Sequence, residues 1–198
     1  MTTRISLLLL GALATLGVSA PAAATATFTG LSGGSCPSAG AYTSDGYLFT
    51  SATNHFHVCA ANQNSNSTNG TETLVTDTTA FTVTKVGGGL FDLFSFDAAE
   101  WSNFGAGRTV SVLGTYAGGA TTSASFGFDG IMGANAFQTF TLANSFRNLA
   151  SARFSFSNNI AQFDNFVTEA AVPEPAALAL FGLGVAGLAA RRRRRKAA

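Results

Sequence analysis

The chain has 198 residues, 46% hydrophobic and 11% charged, with a formal net charge of +1 and a mean hydropathy of +0.27. These averages hide a split: Arg4 lies near the start and six cations close the chain, so residues 27–170 keep four bases against nine acids, about −5. An acidic body excludes a nucleic-acid partner, which needs basic surface to release counterions, and two Cys, two His and 18 Phe leave little material for a catalytic or metal-rich centre.

The start reads as an export signal. Arg4 supplies one positive charge, Ile5 to Gly17 carry none, and Ala24-Thr25-Ala26 places small residues at −3 and −1. That is the pattern of a secretory signal peptide over residues 1–26, with signal peptidase expected to cut after Ala26 and Ala24 as the second choice. The apolar run is shorter than the ~20 residues a membrane span needs. Residues 27–170 are therefore expected outside the inner membrane.

That middle segment is long enough for one domain burying ~70% of its unfolded surface. Short runs alternate with a period of two: Phe81–Val83, Thr109–Val112, Ser125–Phe128, Gln138–Leu142 and Ala152–Phe156. In the last, Ala152, Phe154 and Phe156 share the buried face and Arg153 and Ser155 the exposed one, as in a half-buried strand. Gly87 to Gly89, Gly105 to Gly107, Gly118-Gly119 and Ser157 to Asn159 punctuate these runs, and Asn62 to Gly70 reads as a long exposed loop. No stretch carries a helical period beyond one turn, and internal repeats are absent, which argues against a β-solenoid. The spacing predicts an all-β domain, eight to ten strands in a two-layer antiparallel β-sandwich.

Within it, Cys36 and Cys59 are the sole cysteines, and an exported domain favours a disulfide between them, worth roughly 3 kcal/mol for a loop of about 24 residues. His55 and His57 share a strand face as a zinc pair would, but no nearby carboxylate or third histidine completes a set. Asp97 follows Phe91 and Leu93 on the inward side of the expected strand alternation, an odd place for an unpartnered carboxylate. No Gly-x-Ser-x-Gly, His-Glu-x-x-His or phosphate loop occurs, so no catalytic residue is assigned and the chain is expected not to be an enzyme. Trp101, Tyr47 and Tyr116 are the aromatic side chains available to stack on sugar rings.

The tail, residues 171–198, reads Val172-Pro173-Glu174-Pro175, then Ala176 to Ala190, then Arg191, Arg192, Arg193, Arg194, Arg195 and Lys196. Pro175 suits the first turn of a helix. Fifteen apolar residues reach about 22 Å, short of a ~30 Å hydrocarbon layer, with snorkelling arginine stems covering part of the difference. Gly182, Ala186 and Ala190 form a small-residue row that permits close helix contact, and the terminal cations belong on the cytoplasmic side. A C-terminal transmembrane helix is the expectation.

These three ordered features resemble the PEP-CTERM sorting signal, also known as the ice-binding protein C-terminal domain; the second name describes the tail and not the body. The resemblance implies an integral-membrane cysteine transpeptidase, the exosortase, that recognises Pro-Glu-Pro and removes the helix. It also implies a Gram-negative host that makes exopolysaccharide, with the precursor anchored in the membrane and then displayed on the cell surface or in the extracellular matrix. The body, through Phe91 to Asp97, Phe140 to Leu142, Phe146 to Leu149 and Phe163 to Phe166, is similar to jelly-roll domains resembling carbohydrate-binding modules. Such domains often hold a structural Ca²⁺ on carboxylates and carbonyls. The weak candidates here are Asp92, Asp97, Asp129 and Asp164, with no compact Asp-x-Asp-x-Asp-Gly loop to gather them, so the expected cofactor is none.

The leading expectation is thus a non-catalytic structural or adhesive protein of the cell envelope or exopolysaccharide matrix. A lectin-like glycan-binding module is the alternative and a secreted polysaccharide-active enzyme the third reading. The expected partners are signal peptidase, exosortase and the membrane, with exopolysaccharide as a candidate.

Overall fold

The computed structural model describes residues 23–53, 56–61, 63, 67–76, 80–101, 107–157 and 161–169. The expected signal helix, the Val172–Pro175 motif, the C-terminal helix and the cluster from Arg191 to Lys196 lie outside these residues. The strands are β1 (Ala23–Ala26), β2 (Ala41–Ser44), β3 (Tyr47–Ser51), β4 (Phe56–Cys59), β5 (Ser67–Thr68), β6 (Thr73–Thr76) and β7 (Ala80–Lys85). They continue with β8 (Ser95–Glu100), β9 (Thr109–Tyr116), β10 (Thr121–Gly127), β11 (Gly133–Ala134), β12 (Gln138–Thr141), β13 (Leu149–Phe156) and β14 (Ala161–Glu169). Among the described residues the one helical element is a 3₁₀ turn at Asn144–Phe146.

Two antiparallel sheets form a sandwich. The first has the order β12-β8-β14-β6-β4, with β1 added on β14, and the second runs β10-β9-β13-β7-β3-β2. β5 and β11 make a separate short parallel pair. From β6 onward the chain changes sheet at almost every step, β6 to β7, β7 to β8, β8 to β9, β12 to β13 and β13 to β14. That crossing pattern is jelly-roll-like, and it places most neighbours in space far apart in sequence.

The alternation explains the layers. Val110, Val112, Ala152, Phe154, Phe81, Val83 and Phe49 are all buried, while their even-odd partners point out of the second sheet. Phe81 and Phe154 stack at 4.9 Å between centroids, and Phe154 also meets Phe96 edge-on at 5.0 Å across the sandwich. Phe156 is only half-buried, because it stands near the end of its strand. Gly114 is a packing requirement: a Cβ there would come within 2.9 Å of Leu149 Cδ2 and 3.0 Å of Thr122 Cγ2.

β14 departs from regular pairing at the site discussed next. Its register against β8 shifts between Asp164 and Val167, and Asn165 has a φ of 48°. A regular strand would put residues three apart on opposite faces. The bulge cancels that, so Phe163 and Phe166 both enter the core.

Several expectations change. The structure has fourteen short strands among the described residues, not eight to ten. Among the described residues the first strand is Ala23–Ala26, which lies before the boundary expected at 27. Asp97 points outward, because Phe91 to Phe94 cross between the sheets as irregular chain and the alternation restarts at Ser95 with Phe96 and Ala98 inward. Part of the segment from Asn62 to Gly70 is folded onto the sandwich: Ser67 is 0% exposed and donates its hydroxyl to the Glu100 carbonyl at 2.8 Å. There Ser67 and Asn69 spend their polar groups on buried acceptors, the Glu100 carbonyl and the Asp164 carboxylate.

Candidate functional site

Two carboxylates meet on the outer side of the first sheet. Asp97 on β8 and Asp164 on β14 are directly paired across the strands. Asp164 is 0% exposed. Its Oδ2 accepts from Asn69 Nδ2 at 2.8 Å and Thr71 Oγ1 at 2.6 Å, and its Oδ1 accepts from the Asn165 N–H at 2.8 Å. Asp97 accepts from Thr139 Oγ1 at 2.6 Å on Oδ1 and from Asn165 Nδ2 at 2.9 Å on Oδ2. Asn165 thus ties the two acids together from the bulge. Burial pushes the Asp164 carboxyl up, and the Asp97 charge adds to this against the bonds from Thr71, Asn69 and Asn165. Beside it Gln162, also 0% exposed, donates to the Glu100 carbonyl at 3.3 Å.

Other acids serve single segments. Glu72 accepts from the N–H groups of Leu31 and Ser32 at 2.9 and 3.3 Å and from Ser32 Oγ at 2.6 Å. Partial burial pushes its carboxyl up, and these bonds together outweigh that and hold it below the usual range. Asp92 Oδ1 accepts the Asn148 N–H at 2.7 Å, and Asp129 Oδ1 closes a turn on the Ile131 N–H at 2.8 Å. Glu100, 4% exposed, takes the Gly130 N–H at 2.8 Å on Oε1, while Oε2 is buried without a hydrogen-bond partner. Of the four calcium candidates only Asp97 and Asp164 come together; Asp92 and Asp129 are spent elsewhere. No group of three His, Cys, Asp or Glu among the described residues could hold a metal ion.

The second sheet presents a different surface. Its outward positions carry one register row Ser123, Leu113, Arg153, Thr82, Thr50 and Ala41, and another Ser125, Ser111, Ser155 and Ala80. Thr121 and Thr115 pair in a third, as do Thr84 with Leu48 and Leu48 with Thr43. This face is rich in hydroxyls, holds no acid in those rows and has Arg153 as their one cation. Strand geometry sets its grid at ~4.8 Å across strands and ~7 Å along them. At one end an open groove of about 620 Å³ lies between Thr43, Leu48, Lys85, the turn from Gly87 to Gly89, Ala117 and Ala150. Val86 and Leu90 stand at its rim, 50% and 45% exposed.

The remaining expected residues scatter. Cys36 and Cys59 are disulfide-bonded, with Cα atoms 4.1 Å apart. His57 is half-buried on β4, and His55 lies outside the described residues. Tyr47 is buried against Phe91, and Tyr42 and Tyr116 donate their hydroxyls to the carbonyls of Pro37 and Ser145. Trp101 is half-buried at the end of β8. Arg147 stacks 3.5 Å over the Phe94 ring and donates to the Leu93 carbonyl at 2.6 Å. The partners Asn69, Thr71, Thr139 and Asn165 were not expected. Phe-Asp-Asn-Phe at 163–166 carried the signal, since two core phenylalanines three apart on a strand require a bulge.

Residues 171–195 match the PEP-CTERM protein-sorting motif. The chain therefore carries this sorting signal, which implies export and exosortase processing to a membrane-anchored or cell-surface state. Among curated proteins no sequence matches the chain. Among solved structures, it is similar to the CBM22-1 and GH10 modules of Clostridium thermocellum endo-1,4-β-D-xylanase 10B complexed with xylohexaose. That likeness has 13% identity and a TM-score of 0.41, over 74% of this chain and 28% of the other. A second is TmCBM61 in complex with β-1,4-galactotriose, at 12% identity and a TM-score of 0.35, over 62% of this chain and 86% of that one. A third is the enzymatically active domain of bacteriophage CBA120 tailspike protein 4, at 16% identity and a TM-score of 0.36, over 63% and 19%. The sandwich assignment itself rests on the strand pairings.

Proposed function

We propose that the chain, sorted by its PEP-CTERM tail, delivers a non-catalytic β-sandwich to the cell surface or exopolysaccharide matrix, where it serves a structural or adhesive role. The observation that carries this is the sorting motif at residues 171–195, starting two residues after the end of β14 at Glu169. In sequence, the last strand of the body thus ends just before the signal. The non-catalytic part of the reading is supported by the carboxylate pair: all four oxygens of Asp97 and Asp164 accept hydrogen bonds, from the bulge, from the segment over it and from Thr139 on β12. A hydrolytic pair needs one carboxyl group free to meet substrate and another to hold a water or attack.

The second reading, a glycan-binding module, is favoured by the hydroxyl-rich outer face of the second sheet. Sugars carry hydroxyl donors and acceptors that such a face can meet, and a face with Arg153 as the single charge in its rows imposes little desolvation cost on a neutral polysaccharide.

The test is the fate of the full chain in an exosortase-bearing host. The parent should lose its tail and appear in the surface or matrix fraction. Substituting Glu174, or deleting Arg191 to Lys196, should leave precursor in the membrane fraction, since the prolines fix an extended segment for the enzyme and the cations hold its depth. If both variants were processed and delivered like the parent, the sorting reading would fail. Reducing sugar released from polysaccharide by the purified protein would overturn the non-catalytic part.

A further inference from the structure

The expected cut after Ala26 would remove a strand from the folded domain. β1 pairs antiparallel with the last residues of β14: Ala23 with Glu169, Ala24 with Thr168, Thr25 with Val167 and Ala26 with Phe166. It occupies the flank of β14 left open where β6 stops, because β6 pairs only with Ala161 to Phe163. Ala26 is 0% exposed, and Thr168 Oγ1 donates to the Ala24 carbonyl at 3.1 Å. The chain then runs through Thr27, whose N–H donates to Asp45 at 2.9 Å, to Phe28, a core ring 6.1 Å from Phe166 and 5.0 Å from Phe49. Without β1, four residues of β14 would present an unpaired edge directly beside the exit to the sorting tail.

We propose that signal peptidase cuts between Ala22 and Ala23, so that the whole of β1 stays with the mature domain. The sequence offers a site there: Ala20-Pro21-Ala22 puts small residues at −3 and −1, and it is the last such triplet that leaves the strand intact. Water adds across the Ala22–Ala23 amide, leaving a carboxylate on the leader at Ala22 and an ammonium on the domain at Ala23. The register gives the cut a second meaning. Ala23 lies opposite Glu169, so leader and sorting tail depart from the same end of the sandwich on adjacent strands. The precursor is held at that end by both extensions, and after this cut by the tail alone. The retained strand then braces the segment that precedes the Pro-Glu-Pro motif, with Val172 only three residues beyond Glu169.

This inference rests on the exported reading, and N-terminal sequencing of the chain recovered from outside the inner membrane separates the two. The expected first residue is Ala23. A start at Thr25 or Thr27 would overturn the inference and leave export intact, whereas recovery only of chain beginning at Met1 inside the cell would sink the export reading itself. Ala22→Phe adds a check that leaves the described fold untouched. A bulky residue at −1 should block this bond, so the variant should accumulate as precursor or start at a different residue. An Ala22→Phe protein processed at the parent's residue and rate would overturn the assignment.

Discussion

The outer faces of the two sheets are both polar, and they behave oppositely. On the first sheet Gln162 and Asp164 are each 0% exposed, Asp164 under the chain that carries Asn69 and Thr71. On the second, Ser123, Ser125, Leu113 and Arg153 stand open to solvent, with hydroxyls on most of their neighbours. The first face therefore contributes to stability through satisfied buried groups, where loss of a partner is costly. The second contributes little to stability and is the one available for contact. Polar alternation alone marks both faces as surface; what separates them is which one the chain folds back over.

The core between the faces gives the scale for any test of that contrast. Phe154 touches Phe81 on its own sheet and Phe96 and Phe166 on the other. Phe154→Ala should cost about 3–5 kcal/mol, read as a shift in the denaturant midpoint with unchanged slope. A loss below ~1 kcal/mol would mean that the two sheets do not share a packed interior.

Next in size is the covalent tie at the edge of the covered sheet. Cys36 and Cys59 close a separation of 23 residues, and Cys59 ends β4 in the first sheet. Replacing both with Ala should lower stability by roughly 3 kcal/mol. Calorimetry of the oxidised parent against the double variant measures it, and equal melting would remove the disulfide from the account.

The covered face itself is tested at Asp164. Asp164→Ala leaves the Asn69 amide and the Asn165 N–H without this acceptor, and the Thr71 hydroxyl with Asn69 Oδ1 alone, and should cost about 1–3 kcal/mol. The pH profile sharpens this. Because the folded state raises the Asp164 pKa, the folded chain binds that proton more tightly than the unfolded one. Its contribution is fully present below the unfolded Asp value near ~3.9 and is lost as pH rises through the folded pKa. Glu72, held low, acts the other way: its contribution is present above its unfolded value and lost as pH falls through the folded one. The two windows lie on opposite sides of the ordinary carboxylate range. Asp164→Asn should flatten the upper window and leave the lower one, as read from melting temperature against pH.

Much of the sandwich was legible because period-two runs such as Thr109 to Val112 and Ala152 to Phe156 name their buried face directly. The covered site was not, for two reasons. Asp97 lost its apparent phase because Phe91 to Phe94 have the composition of a strand but cross between sheets, bonded to Leu149, Phe146 and Val167. Asn69 and Thr71 reach Asp164 across more than 90 residues, a contact that no local pattern encodes. β1 was hidden differently: Ala23 to Ala26 has the small residues of a cleavage site, and only its pairing with β14 shows that it belongs to the fold.

The smallest effect on stability is expected on the open face, with the largest effect on contact. Thr82, Thr84 and Thr115 point outward from β7 and β9, and valine has the same shape and strand preference without the hydroxyl. A triple Thr82→Val, Thr84→Val, Thr115→Val variant should change stability by no more than about 0.5 kcal/mol per site. If this face holds neutral polysaccharide through its hydroxyls, affinity electrophoresis in a polysaccharide gel should show retardation falling several-fold. Asp164→Asn, on the covered face, should be retarded like the parent. The body's charge near −5 predicts weaker adhesion to acidic polysaccharide at low salt, recovering as salt screens the repulsion. A triple variant retarded like the parent would leave the open face without a binding role, and the contrast between the sheets would then be one of packing alone.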